Sequence, residues 1–269
     1  MVVFPNAKIN LGLNVVSKRD DGYHNRSSCF YPINWSDILE IIPSKTFQFS
    51  SSGMLIEGDE KNNLCVKAYG LLVEAYKLPA VHIHLHKVIP MGAGLGGGSS
   101  DGAYTLVLLN QMFDLRLSTL KLQELASKLG SDCPFFIKNV PAVVSGVGET
   151  IQPMNFSLKN YELIVIYPKV HISTKEAYQG ITPKYPIREI NTILNSEISI
   201  WKKELKNDFE IPVISNHSEI NNIKNSLYNL GAKYASMTGS GSAVYGIFQK
   251  DTGLKNIAKI NEQYLTWFE

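Results

Sequence analysis

Residues 90–103 read Pro90-Met-Gly-Ala-Gly-Leu-Gly-Gly-Gly-Ser-Ser-Asp-Gly-Ala103, with five glycines between Gly92 and Gly98. No other stretch limits the possible folds as much. Glycine reaches positive φ at no steric cost and lets a bulky anion approach the main chain. Ser99, Ser100 and Asp101 precede the apolar run Ala103 to Leu109 and read as N-cap residues of a helix. The unpaired N–H groups of that helix, and the positive end of its dipole, would then meet whatever lies on the loop. The stretch therefore predicts a phosphate cradle feeding a helix. A glycine-rich turn with no ligand is a poor alternative, because ordering so many glycines is entropically costly.

Three loop patterns compete for these residues. The Walker A pattern closes on Gly-Lys-Ser/Thr, and no Lys occurs between Met91 and Lys121. The dinucleotide fingerprint G-x-G-x-x-G matches at Gly92, Gly94 and Gly97, but it needs a βαβ unit with an acid ending the next strand. Asp114 has about the right spacing but lies between two helical stretches. The preceding strand, Val81 to His86, alternates apolar and polar, unlike a central parallel strand. The third pattern is Pro-x-Gly-x-Gly-Leu-Gly followed by small residues and Ser-Ser, the loop of the GHMP kinases, and Pro90 to Ser100 resembles it closely.

At 269 residues, 44% hydrophobic and 19% charged, the chain suits two packed globular domains. A net charge of +2 without a dense basic block argues against a nucleic-acid partner. No apolar run approaches a membrane span, and Met1 to Phe4 is too short for a signal-peptide core. Three scattered cysteines argue against a disulfide framework and for a reducing, cytoplasmic setting.

Along the chain, Pro5 to Val16 alternates strictly. Ile9, Leu11, Leu13 and Val15 face one way, and Lys8, Asn10, Gly12 and Asn14 the other. The polar face suits a ligand-lined surface as well as a wet one. Asp21-Gly22 marks a turn before Tyr23-His24. Further strands are predicted within residues 37–57, and then a helix capped by Asn62-Asn63. Strand 81–86 puts His82, His84 and His86 on one face; with no Cys or carboxylate placed beside them, a solvated sheet face explains them better than zinc. An amphipathic helix from Ser118 to Leu129 ends at Gly130. Asp132 follows, before Pro134 and two phenylalanines, as either a capping residue or a group placed for proton transfer. Cys133 reads as a packed thiol. The second half opens on a strand, Tyr161 to Tyr167, and Ser173-Thr174 caps a helical turn carrying Tyr178. Trp201 to Lys206 reads as a solvated helix face, and Met237-Thr-Gly-Ser-Gly241 as a second small-residue turn.

Three motifs together identify a family resemblance: Ala7-Lys-Ile-Asn-Leu11 with Asp21-Gly-Tyr-His24, the 90–103 loop, and Met237 to Gly241. The chain resembles the GHMP kinases, and among them the branch that phosphorylates a cytidine-diphosphate methylerythritol on the non-mevalonate route to isoprenoids. This resemblance implies an α+β fold of two domains, 1–152 and 153–269, with the site in the cleft between them. The first would be like the second domain of ribosomal protein S5, the second a ferredoxin-like α/β plait. It also implies γ-phosphoryl transfer from ATP, with Mg²⁺, to the 2-hydroxyl of the methylerythritol. Asp132 would take the hydroxyl proton with Lys8 beside it. Pro90, Met91, Gly92, Ala93, Gly94, Leu95, Gly96, Gly97, Gly98, Ser99 and Ser100 would hold ATP, with Gly239, Ser240 and Gly241 completing the cradle. Ser99 or Ser100 would hold the metal, and Lys87, Asn63 and Leu64 would border the adenine. Tyr23 and Tyr178 would sandwich the cytosine, His24 would read its edge, and Asn10 would hold a substrate hydroxyl. A small-molecule kinase of this kind is expected as a monomer or homodimer.

Three features depart from what the resemblance leads one to expect: Tyr178 stands where many relatives have Phe, Asn216-His-Ser-Glu219 replaces a usual Asn-Asp-Leu-Glu, and Gly102 replaces a common Ala. The alternatives are a homoserine or mevalonate type of GHMP kinase, against which Asp21 to His24 argues, and a non-catalytic nucleotide-binding protein, against which the retention of Lys8 and Asp132 argues.

Overall fold

The computed structural model describes residues 1–252 and 264–269. The first strands are β1 (Val2–Val3), β2 (Asn6–Lys18), β3 (His24–Ser36), β4 (Ile38–Pro43), β5 (Gln48–Gly53) and β6 (Val81–Lys87). After the glycine loop come β7 (Ala142–Gly146), β8 (Thr150–Pro153), β9 (Tyr161–Tyr167), β10 (Tyr234–Met237), β11 (Val244–Gln249) and β12 (Leu265–Phe268). The helices of the first half are α1 (Leu64–Tyr76), α2 (Gly97–Met112), α3 (Thr119–Ser127) and α4 (Cys133–Lys138). The second half carries α5 (Thr174–Tyr178), α6 (Ile190–Leu194), α7 (Trp201–Glu204), α8 (Glu210–Asn216) and α9 (Ser218–Asn229). Among the described residues no helix is long and apolar enough to cross a membrane.

The chain groups into two compact units. One comprises Met1–Lys8, Pro32–Met91 and Gly96–Val140; the other Ile9–Tyr31, Gly92–Leu95 and Pro141–Glu269. These are not the contiguous stretches 1–152 and 153–269. The physical reason lies in β2 and β3. Leu13 N–H donates to the Lys206 carbonyl and Val15 N–H to Asp208 Oδ2, while Arg26 to Phe30 pair with β7. Long stretches of both early strands are thereby committed to late residues.

In the first unit, β1, β4, β6 and β5 form one sheet, with β4 antiparallel and β5 parallel to β6. Leu39, Ile41, Ile83 and Leu85 join Leu72, Leu106, Leu109 and Leu125 of the helices in one apolar core. The caps fall where the sequence put them: the Asn63 side chain accepts from Cys65 N–H, and Ser118 accepts from Lys121 N–H. Gly102 has a packing reason, since a Cβ there would come within 2.9 Å of Leu64 Cβ on α1. The β6 histidines are not simply solvated. Ser50 Oγ bridges His82 Nε2 (2.7 Å) and His84 Nδ1 (2.8 Å), and Ser52 Oγ bridges His84 Nε2 and His86 Nδ1 (both 2.9 Å).

In the second unit, residues 9–18 of β2 and 24–31 of β3 continue through β7 to β8, and a second sheet runs β10-β11-β9-β12. Ile164, Ile166 and Val244 pack with Leu13, Val15, Phe209 and with Ile220, Ile223 and Leu227 of α9. From Asn6 to Leu13, β2 is buried on both faces, so its polar side is not wet. Trp201 also differs from expectation. It is buried, with its indole N–H on the Ile193 carbonyl at 3.0 Å, while Lys202 and Lys203 stay exposed.

Candidate active site

Lys8 and Asp132, far apart in sequence, meet in the first unit with Nζ to Oδ2 at 3.7 Å. The Lys8 side chain is 3% exposed and that of Asp132 21%, so the ammonium is enclosed while the carboxylate reaches the surface. Asp132 occupies the N-cap position of α4 but makes no side-chain capping bond. Of the two sequence readings, capping is therefore not what holds its carboxylate; Ser131 Oγ donates to Oδ1 at 3.4 Å. Gly96 lies over the Lys8 stem: a Cβ there would meet Phe136 Cζ at 3.0 Å and Lys8 Cε and Cγ at 3.2 Å. Burial pushes the neighbouring Cys133 thiol up to about 12, so it is a packed thiol and no nucleophile at neutral pH.

The glycine loop leads directly into α2, and here the sequence placed the helix start too late. α2 begins at Gly97, with Gly96 as a left-handed cap at φ 73°. Ser99, Ser100 and Asp101 are thus inside the helix, not caps. Gly92, Gly94 and Gly96 alternate at φ 66°, 78° and 73°, a backbone open only to glycine at low cost. The first N–H groups of α2 are left for an anion, as a helix N-terminus requires.

Beneath the helix lies a buried group that the sequence reading missed. Lys87 Nζ contacts Asp37 Oδ2 and Asp101 Oδ2, the latter at 2.9 Å, and all three side chains are at most 3% exposed. Asp37 Oδ1 also accepts from Val88 N–H (2.6 Å) and Ile89 N–H (2.8 Å). Asp101 Oδ1 has no partner, and neither does Ser100 Oγ. Burial, with help from Asp37 and against the pull of Lys87, pushes the Asp101 carboxyl up to about 7. Burial alone would lower Lys87, but the two carboxylates outweigh it and raise it. Two acids around one cation could have been suspected only by pairing Asp37, which follows β3, with the acid in the loop helix.

A cavity of about 330 Å³ opens beside this group, walled by Phe49, Ile56, Asn63, Leu64, Lys87 and Gly98 among others. It brings together Lys87, Asn63 and Leu64, the three residues expected around adenine. Gly98 faces open space, since a Cβ there would meet nothing within 4 Å.

In the second unit the two glycine turns touch backbone to backbone. A Cβ on Gly94 would fall 2.1 Å from the Thr238 carbonyl oxygen, and one on Gly239 3.1 Å from Gly94 Cα. Thr238 Oγ1 lies 3.1 Å from both the Gly94 carbonyl and Asn10 Oδ1, and it accepts from Asn10 N–H at 3.0 Å. Asn207 Nδ2 holds the Met237 and Gly239 carbonyls at 2.8 and 2.9 Å. The Asn10 amide also donates to Ser28 Oγ at 2.7 Å and is 1% exposed. It is thus engaged in holding the turns.

The family models for the GHMP kinases N terminal domain and the GHMP kinases C terminal domain match residues 63–146 and 192–265. The 4-diphosphocytidyl-2-C-methyl-D-erythritol kinase of Cytophaga hutchinsonii is 51% identical over 249 residues, 92% of each chain. That of Parabacteroides distasonis is 46% identical over 265 residues, 98% of each. A crystal structure of 4-(cytidine 5'-diphospho)-2C-methyl-D-erythritol kinase superposes with a TM-score of 0.86 at 30% identity, covering 100% of this chain and 98% of its own. The chain belongs to the 4-diphosphocytidyl-2-C-methyl-D-erythritol kinase family of GHMP kinases. A homoserine kinase from Cytophaga hutchinsonii, at TM-score 0.66 and 16% identity over 98% of this chain and 93% of its own, shares the fold.

For a member of this kinase family, the residues expected around cytosine are arranged in the second unit in an unexpected way. His24 itself stacks on Tyr178, with ring centroids 4.7 Å apart and planes at 22°. Phe209 holds Tyr178 edge-on at 4.8 Å. Tyr23 is 66% exposed on the turn fixed by Asp21, whose Oδ1 accepts its N–H at 3.0 Å. So the structure brings His24 and Tyr178 together and leaves Tyr23 in solvent. His217 contacts Glu176 Oε1 through Nε2 at 2.8 Å and so ties α5, the helix carrying Tyr178, to the start of α9.

Proposed function

We propose that this protein phosphorylates the 2-hydroxyl of 4-diphosphocytidyl-2-C-methyl-D-erythritol with ATP, giving the 2-phosphate and ADP in isoprenoid precursor synthesis. The observation that carries this reading is the Lys8–Asp132 pair, with Gly96 at the start of α2 against the Lys8 stem, in a chain whose relatives are named for that kinase.

Asp132 takes the proton of the attacking hydroxyl, and its partial exposure leaves it open to the substrate. The enclosed Lys8 ammonium, 3.7 Å from the carboxylate, offsets negative charge growing on the attacking oxygen. The N–H groups opening α2 hold the phosphates, and the cavity at Asn63, Leu64 and Gly98 takes the adenine. Gly239 braces the loop at Gly94. Tyr178 stacks the cytosine, with His24 moving aside to read its edge and Tyr23 closing from solvent.

Among the described residues no three His, Cys, Asp or Glu gather as a metal site, yet the Ser100 hydroxyl is buried without a partner in the opening turn of α2. Hydroxyl donors suit Mg²⁺, which binds largely through nucleotide phosphates and water. Ser99 and Ser100 would hold it, and Mg²⁺ would neutralise charge on the phosphates. We assign the work to the cytoplasm, by a monomer or homodimer.

The test is Mg²⁺-dependent ATP consumption with the cytidine-diphosphate methylerythritol, homoserine and mevalonate in parallel. Turnover of the cytidine substrate alone is expected. Turnover of homoserine or mevalonate in its place would overturn the assignment.

A further inference from the structure

Where a side chain would stand on Gly92, the structure places His171. A Cβ built on Gly92 would lie 3.1 Å from His171 Nδ1 and 3.3 Å from its Cε1. His171 sits on the segment following β9, and that segment rests on both glycine turns. Ser242 Oγ donates to the Val170 carbonyl, and a Cβ on Gly241 would meet Ile172 Cδ1 at 3.1 Å. Ile172 is buried and His171 exposed, so one residue anchors the segment and its neighbour presents an imidazole beside the loop.

The same segment continues into the helix that carries Tyr178, through the Ser173 cap. Three extended residues and one helical turn separate His171 from Tyr178, an outer bound of about 16 Å. Between Pro168 and Tyr178 the segment also carries Lys169 and Lys175, both exposed, and a single acid, Glu176, which is already paired with His217. Its field favours an anion.

Resting on the cytidine assignment made above, we propose that His171 binds the diphosphate of that substrate, donating from its imidazole to a phosphate oxygen. The diphosphate is joined to the cytidine whose base is assigned to Tyr178, and His171, on the segment leading to Tyr178, stands over Gly92 of the loop. An imidazole N–H donates in either tautomer, and more strongly when the ring is charged. ATP phosphates present the same oxyanion chemistry. They are assigned, however, to the N–H groups from Gly97 onward, whereas His171 faces Gly92 and shares its segment with Tyr178.

Calorimetric titration of CDP and of cytidine into the wild type, His171→Ala and His171→Gln tests this contact without turnover. The expected result is a loss of about tenfold in CDP affinity for His171→Ala, the effect of one hydrogen bond to a charged group. Cytidine affinity should be unchanged, and His171→Gln should recover part of the loss. In steady-state assays KM for the cytidine substrate should rise by the same factor, with KM for ATP and kcat nearly unchanged. Equal losses for cytidine and CDP would reduce His171 to a prop for its segment and overturn the proposal. A rise confined to KM for ATP would move the contact to the other phosphate chain and overturn it too. A wild type that binds CDP with these His171 effects but phosphorylates nothing would sink the kinase assignment and support His171; a wild type that does not bind CDP would overturn His171.

Discussion

Asp37 and Asp101 share one cation, the buried ammonium of Lys87. Asp37 has three donors, from Lys87, Val88 and Ile89, while Asp101 keeps one oxygen without a partner. Two carboxylates cannot both be well compensated by one buried charge, so the less supported one, Asp101, keeps its proton to higher pH. Replacing Lys87 by Met removes the cation that the two carboxylates share and leaves Asp37 in the interior. A loss of about 3–5 kcal/mol in urea unfolding is expected, the usual result of breaking a buried pair from one side. A loss below 1 kcal/mol would mean that water reaches the group.

The same asymmetry sets a pH dependence. The Asp101 carboxyl is held at about 7 in the folded chain, against an ordinary value of 3.8. Between these limits the folded state keeps a proton that the unfolded state has released, so this group's contribution to stability falls as pH rises and levels off above about 7. Other carboxylates add slopes of their own, so the informative quantity is a difference. Unfolding free energies of Asp101→Asn minus those of the wild type should rise from about pH 4 to about pH 7. A flat difference would place the proton elsewhere.

At the reaction centre, Asp132→Asn should lower kcat by about 10²–10⁴-fold while leaving ATP binding nearly intact, the range for loss of a general base. Because the enclosed Lys8 ammonium loses the negative charge beside it, the melting temperature should fall as well. An unchanged kcat would mean that the proton leaves by another route, as positioning-dominated phosphoryl transfer permits.

Two glycines of the loop should behave oppositely. Gly94→Ala would drive a methyl to within 2.1 Å of the Thr238 carbonyl at a φ of 78°, and both folding of the loop and activity should be lost. Gly98→Ala meets nothing within 4 Å and lies within α2, so it should raise stability by up to about 1 kcal/mol. Its methyl would stand in the adenine cavity, so KM for ATP should rise nonetheless. Thermal melts and ATP titrations on the two variants separate these outcomes; equal behaviour would contradict the packing described.

Tyr178→Phe should leave the cytidine substrate's KM close to that of the wild type, since the ring held by Phe209 and His24 is kept. Tyr178→Ala should raise it by about tenfold, a typical aromatic stacking contribution. Similar values for both variants would remove the ring from the binding site.

Local patterns foretold much of this chain. The capped helices at Asn63 and Ser118, the strand at Tyr161 and the glycine loop each follow from residues within a few positions of one another. The pair Lys8 and Asp132 became visible through family resemblance, not through spacing. What stayed hidden was set by distant partners. The start of α2 moved to Gly97 because three positive-φ glycines precede it, and propensity counts glycine as a helix breaker. The Lys87 group joins residues from β6, α2 and the end of β3, and no single window of sequence contains it. Asn10 looked like a ligand-facing amide on an alternating strand, yet Ser28 and Thr238 engage it.

The Thr238 hydroxyl lies 144 residues beyond Gly94 and 228 beyond Asn10 in the chain. During synthesis the glycine loop emerges first, and the turn that braces it is made 144 residues later. A chain interrupted before Thr238 carries the whole loop sequence and the Lys8–Asp132 pair but lacks the surface against which Gly92 to Leu95 set. Nucleotide-binding competence should accordingly wait for Thr238, as closure of a long-range contact, and chains that stop short of it should sequester little ATP.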